Sequence, residues 1–287
     1  MRPQVKEFFD KATWTLTYVV FDPGTRDAVV IDPVWDYDPA ASKMSQHSIE
    51  QVYKYVQEQN LKVHYILETH AHADHVSGSQ VLKKKIPGAL IGIGARITDV
   101  QKVFKGVFNL HEDFRTDGSQ FDLLLQEESP LAAGALTIKT LYTPGHTPAC
   151  GTYVIGDAVF TGDALFMPDY GTGRCDFPAG SAEDLYHSVQ EKIYGLPDHF
   201  RVFVGHDYLP NGRALAFEST IGEEKTQNIQ LKSDTTRDQF VHFRLTRDKT
   251  LAAPRLLLPS VQVNIDAGRL PQEEDNGVCY LKIPVRI

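Results

Sequence analysis

Cysteine is scarce in this sequence: Cys150, Cys175 and Cys279 are the only three among 287 residues. Odd in number and far apart, they exclude a disulfide framework, and a reducing cytoplasm is the expected compartment. Clustered positive charge is also missing. Acidic residues outnumber basic ones 37 to 29, for a net charge of −8, whereas phosphate contacts need the opposite balance. No nucleic-acid partner is expected, and Lys83-Lys84-Lys85 reads as a solvated helix end. No apolar run follows the charged start "MRPQVKEFFDK", so neither a signal peptide nor a membrane span is expected. Low-complexity tracts, fixed-period repeats and Gly/Ser-rich linkers are absent too, which argues against two separately tethered halves.

What is present is a chain 42% hydrophobic and 10% aromatic, enough to bury a sizeable core. One main domain over residues 1–235 is expected, with a C-terminal extension, 236–287, packed on it. "TLTYVVFDPGTRDAVVIDP" reads as two strands around a Pro-Gly turn, ended by Asp32 and Pro33. "SQHSIEQVYKYVQEQN" sets Ile49, Val52 and Val56 on one helical face behind a serine cap. Strand patterns recur in "KVHYILET", "ALIGIG", "LTIKTLYTP", "TYVIGDAVFTG" and "RVFVGHD". Helical patterns separate or follow them in "ARITDVQKVFK", "SAEDLYHSVQEKIYGL", "ESTIGEEKTQNIQL" and "TTRDQFVHFRLTRDKTL". The tail from Ala252, with Pro254, Pro259, Pro271 and Pro284, reads as mostly extended or irregular.

The residues able to do chemistry lie just past predicted strand ends, where layered α/β folds gather their sites. "THAHADH" carries His70, His72, Asp74 and His75; "TPGHT" carries His146, "FTGDALF" Asp163 and "VGHD" His206. Imidazole and carboxylate both suit first-row metals. Packing a His-x-His-x-Asp-His cluster without a metal would bury unpaired, mutually repelling groups, so the cluster is read as a metal site. A lone His146 or His206 beside a turn would carry no such weight. Ligands this scattered, none of them Cys, do not fit a closed structural zinc site.

Taken in order, these four motifs resemble the metal motifs of the metallo-β-lactamase superfamily, over roughly Thr15 to Leu231. The resemblance implies an α/β fold of the αββα sandwich type: two mixed β-sheets flanked by helices, with the metal site along one edge. In the superfamily's dinuclear hydrolases, one metal would take His70, His72 and His146. The second would take Asp74, His75 and His206, with Asp163 bridging. The stretch "MPDYGTGRCDFPAGS", continued by "AEDLYHSVQEKIYGLP", "GHDY" and "NIDAGRLPQEEDNGVCYLKIP", is similar to the persulfide dioxygenase branch, in particular its bacterial type.

Membership of that branch implies one Fe(II) per chain held by His70, His146 and Asp163, the two-His-one-carboxylate face of non-haem oxygenases. The implied reaction oxidises glutathione persulfide, or a related low-molecular-weight persulfide, with O2 to sulfite and the thiol in sulfide detoxification. His72, Asp74, His75 and His206 would then orient ligands, hold water or shape the open face. Arg174 is similar to a family arginine near the thiol substrate and, with Tyr208, is a substrate-binding candidate; loop support through Asp176 and plain packing are the competing readings. Cys175 reads as a small buried hydrophobe. The alternative function is a dinuclear hydrolase holding two Zn(II), of the glyoxalase II (hydroxyacylglutathione hydrolase) or lactonase type. A two-fold homodimer is plausible.

Overall fold

A computed structural model describes residues 2–127 and 129–285. The first half runs β1 (Gln4–Asp10), β2 (Thr15–Phe21), β3 (Asp27–Ile31), β4 (Val34–Asp38), β5 (Lys43–Ser45), α1 (His47–Glu58), β6 (Lys62–Glu68), β7 (Val76–Ser77), α2 (Ser79–Lys85), β8 (Leu90–Gly94), α3 (Ile97–Val107) and β9 (Leu123–Leu125). The second half runs β10 (Leu131–Ala133), β11 (Leu136–Tyr142), β12 (Gly151–Ile155), β13 (Ala158–Phe160), α4 (Ala182–His187), β14 (Arg201–Phe203), β15 (Glu218–Thr220), α5 (Ile221–Gln227), α6 (Arg237–Asp248) and α7 (Leu257–Asn264).

Each half builds one six-stranded mixed sheet, ordered β1-β2-β3-β6-β8-β9 and β10-β11-β12-β13-β14-β15, and β5-β4-β7 forms a small side sheet. Strand alternation decides how they stack. From β2, Leu16, Tyr18 and Val20 enter one core with Tyr153, Phe160 and Phe203 of the second sheet. Val19 and Phe21 point the other way, into a core with Ile49, Val52 and Val56 of α1 and Phe104 of α3. Both faces of β2 are therefore buried, as expected of a sheet covered on both sides. The result is the helix-sheet-sheet-helix layering expected from the sequence. Tyr18 crosses the inner core and donates its hydroxyl to the carbonyl of Val204 at 2.7 Å, so its burial leaves no unmet donor.

The hairpin, the strands "KVHYILET" and "ALIGIG", and the helix capped by Ser181 all form where their patterns place them. Two expectations need correction. The serine cap of α1 is not formed: Ser45 belongs to β5, the capping position is Gln46, and Ser48 instead donates to Asp36 at 2.7 Å, tying α1 to the side sheet. The C-terminal tail is not wholly irregular, since α7 forms with Pro259 in its first turn, where its missing N–H costs nothing. Val261 and Ile265 bury that helix in the outer core. Among the described residues, no helix is long and apolar enough to cross a membrane.

Candidate metal centre

The site grows from the ends of β3 and β6, which are parallel neighbours. Asp32, just past β3, sits at a left-handed φ of 49°, a conformation aspartate tolerates better than most residues. Its carboxylate accepts the Thr69 N–H at 2.7 Å and the Thr69 hydroxyl at 2.8 Å, fixing where the histidine loop leaves β6. The same carboxylate lies 3.0 Å from His72 Nε2, and Glu68 lies 3.4 Å from it. Glu68 is held in turn by the hydroxyls of Ser77 and Ser79.

His70, His146 and Asp163 converge, offering one ligand atom each, all within 4.8 Å of one another. His146 Nδ1 lies 2.7 Å from the carbonyl of Arg174, which can only accept, so Nδ1 carries the proton and Nε2 is left free for a metal. His72, Asp74, His75 and His206 form a second group within the same limit. Asp163 stands between the groups, one oxygen 3.5 Å from His146 and the other 3.3 Å from His206. Thr15, at the start of β2, places its hydroxyl 3.3 Å from His75 Nδ1 and 3.4 Å from His206 Nδ1.

His72 lies between the two groups, its ring centre 4.0 Å from that of His70 and 4.0 Å from that of His75. Its Nε2 faces the carboxylates of Asp32 and Glu68.

Whether a cation fits can be judged from the polar atoms left over. His70 Nε2, both ring nitrogens of His72, His75 Nε2, His206 Nε2 and Asp163 Oδ1 are buried without a hydrogen-bond partner among the described residues. Native proteins rarely leave such atoms unmet, and these point into one small region. A metal ion in the first group would meet His70 Nε2, and one in the second would meet His75 Nε2 and His206 Nε2; no other group among the described residues hydrogen-bonds to them. Burial, then the proximity of His72 and His146, holds the His70 imidazole well below its ordinary titration range, so it is neutral and ligand-ready. Burial disfavours charge on His206 as well, but Asp74 and Asp163 outweigh it and lift the ring to about 9. Burial works against ionisation of Asp163, yet His206 and His146 hold its carboxyl below the usual range. The metal-free cluster is thus a network of partial ion pairs that a divalent cation replaces.

Close backbone approaches shape the same region. Gly162, at φ 50°, lies where a Cβ would sit 2.6 Å from the Thr69 hydroxyl. A Cβ on Gly173 would meet the carbonyl of Asp163 at 2.1 Å. Any side chain at either position would displace the loops that carry the ligands. Arg213 pins the His206 loop by pairing with Asp207 at 2.7 Å and Asp169 at 2.5 Å.

The cluster opens into a cavity of about 380 Å³, reached by Asp74, His146 and Asp163. Tyr208 lines it and stacks on His206 with ring centres 5.6 Å apart and planes inclined by 18°. Burial drives its hydroxyl well above the ordinary tyrosine range, so it is a neutral donor. Arg174 also lines the cavity, but its guanidinium is committed to Asp176 at 2.5 and 2.6 Å and to the carbonyl of Ala252 at 2.7 Å. That is the loop-supporting arrangement. Cys175 is buried and its thiol is pushed up above the ordinary range, so no reactive thiolate forms there.

The fold and its cluster define a metal-binding α/β sandwich protein. A profile of the metallo-beta-lactamase superfamily matches residues 15–206, and the chain belongs to that superfamily. A probable metallo-hydrolase of Burkholderia pseudomallei is 48% identical over 98% of both chains. The human mitochondrial persulfide dioxygenase ETHE1 is 32% identical, over 92% of this chain and 88% of its own. The crystal structure of ETHE1 from Myxococcus xanthus superposes with a TM-score of 0.73 at 30% identity, covering 93% of this chain and all of that one.

Three residues at the site escape the sequence reading in this role: Thr15, Asp32 and Glu68. Asp32 is visible in the sequence only as a strand stop before proline. Its position past β3, beside the strand that delivers the histidines, is the signal that could have found it.

Proposed function

We propose that the protein is a persulfide dioxygenase that holds one iron through His70, His146 and Asp163. The observation that carries this reading is the convergence of His70, His146 and Asp163 into a two-His-one-carboxylate set beside the cavity, with His72 Nε2 turned instead toward Asp32 and Glu68. The likeness to human and Myxococcus proteins named ETHE1 supports it. Iron bound there would supply redox chemistry and positions for both reactants at one centre, which turns a three-body encounter into an ordered one. The overall reaction combines glutathione persulfide, O2 and water to give glutathione, sulfite and two protons.

The chain's own residues perform the binding steps. His146 keeps its Nε2 available because Arg174's carbonyl holds the opposite proton. Tyr208 presents a hydroxyl that makes no hydrogen bond among the described residues, free to donate to substrate. Arg247 and Arg255 line the same cavity and form no ion pair or side-chain hydrogen bond among the described residues. They suit the carboxylates of a peptidic thiol. Arg174 acts on substrate through the loop it braces.

A dinuclear hydrolase is the second reading, favoured by the complete second group and by the name of the Burkholderia relative. The two separate cleanly by experiment. After anaerobic purification, metal content is measured, and oxygen uptake is followed with glutathione persulfide and with a lactoylglutathione-type thioester. One iron per chain with persulfide-dependent uptake is expected. Two zinc ions per chain, thioester cleavage and no oxygen uptake would overturn the proposal.

A further inference from the structure

We propose that Asn264, on α7, is a positioning residue of the metal centre. It lies 192 residues beyond His72 in the chain yet holds the loop carrying half of the cluster. Its side-chain nitrogen donates to the carbonyl of His72 at 2.8 Å and to that of His75 at 2.8 Å. Its side-chain oxygen accepts the Ser77 N–H at 2.8 Å. One amide thus meets three backbone groups on both sides of Asp74.

The residue type is dictated by the job. Two donors and an acceptor on a short planar group are what this turn requires, and no other side chain of similar size carries both. Asn264 is only 4% exposed, so the two carbonyls would be left buried and unpaired without it. The side chain itself cannot drift. Val261 and Ile265 fix α7 in the outer core, and Gln101 of α3 donates to the carbonyl of Ile265 at 2.9 Å. Just beyond, the backbone at Gly268 comes so close that a Cβ there would lie 3.1 Å from the Ser77 carbonyl.

What the amide fixes is a direction. Asp74 and His75 project from the clamped turn toward His206, and His206 touches Asp163, which is shared with the first group. Release of the turn therefore loosens both halves of the centre without touching a ligand side chain.

The test uses the full chain loaded anaerobically with iron and measures its loss to an excess of chelator, beside the thermal midpoint of the metal-free protein. Asn264→Ala removes all three bonds. Asn264→Asp keeps an acceptor for Ser77 and removes both donors, so it isolates the carbonyl contacts. Both variants are expected to release iron roughly tenfold or more faster than the parent, in line with losses of outer ligand support. Cobalt(II) loading of the same variants is expected to give an altered visible spectrum. Parent-like iron release and spectrum in folded Asn264→Asp would overturn the proposal. So would a lower midpoint in both variants with iron release unchanged, the signature of a purely structural role. Because the readout is metal retention, it stands whether or not the protein oxidises persulfides.

Discussion

Asp32 Oδ1 and His72 Nε2 meet 3.0 Å apart beneath the metal centre, both nearly inaccessible to water. Burial alone would keep the His72 ring neutral, but Asp32 and Glu68 overcome it and raise its pKa well above the ordinary value. The same aspartate anchors Thr69, so one side chain sets both the exit of the loop and the orientation of a ring inside it.

Asp32→Ala leaves the Thr69 N–H and hydroxyl without their acceptor and His72 without its nearer carboxylate. Loss of about 2–4 kcal/mol of stability is expected from the unmet buried groups, with metal affinity lower by roughly ten- to a hundredfold. Asp32→Asn keeps an acceptor oxygen and tolerates the left-handed backbone, so it should lose far less stability. Chemical unfolding with a competitive metal titration decides the matter; equal losses in the two variants would count against the orienting role.

Arg174 and Asp176 form a paired brace. If the guanidinium supports the loop, Arg174→Ala and Asp176→Ala should raise KM severalfold to similar extents, and the double variant should be no worse than either alone. Additive losses, with Asp176→Ala nearly silent, would instead mean that Arg174 touches substrate directly.

Arg247 and Arg255 line the cavity without an ion-pair partner among the described residues. Arg247→Gln and Arg255→Gln are each expected to raise KM for glutathione persulfide by about fivefold or more, leaving kcat within about twofold, as for loss of uniform binding. Steady-state oxygen uptake measures both constants. With a glutathione persulfide whose carboxylates are esterified, parent and variants should converge.

Glu224 is buried on α5 between Ser219 and Asn228, which place their side chains 2.5 and 2.9 Å from its oxygens. Burial pushes its carboxyl up to about 8 despite those partners. A carboxyl whose folded pKa is raised binds its proton more tightly in the native state. Its stabilising contribution is therefore complete below the unfolded value, near pH 4–5, and declines as pH rises through about 8. Glu224→Gln should flatten that decline and be more stable than the parent above pH 8, by about 1–3 kcal/mol. Unfolding midpoints measured from pH 5 to 9 would expose the error if the two curves ran parallel.

The seven cluster residues were legible because their motifs are local, and the sandwich followed from the family those motifs resemble. Short β-branched and aromatic runs mark β2 and β6, and the ligands follow strand ends in recognisable motifs. Other features depend on contacts that no local pattern encodes. The orientation of the His72 ring is one, set by the carboxylates of Asp32 and Glu68. The helix α7 hides behind Pro259, and its eight residues include only a short apolar stretch. The serine cap failed because β5 claims Ser45, a pairing too brief to leave a pattern.

The dependence of the histidine loop on Asn264 also has a consequence for biosynthesis. Ser77 and its partner are 187 residues apart in sequence, so the histidine motif leaves the ribosome long before the residue that completes its geometry. The final geometry of that loop is accordingly complete only when α7 is packed against it.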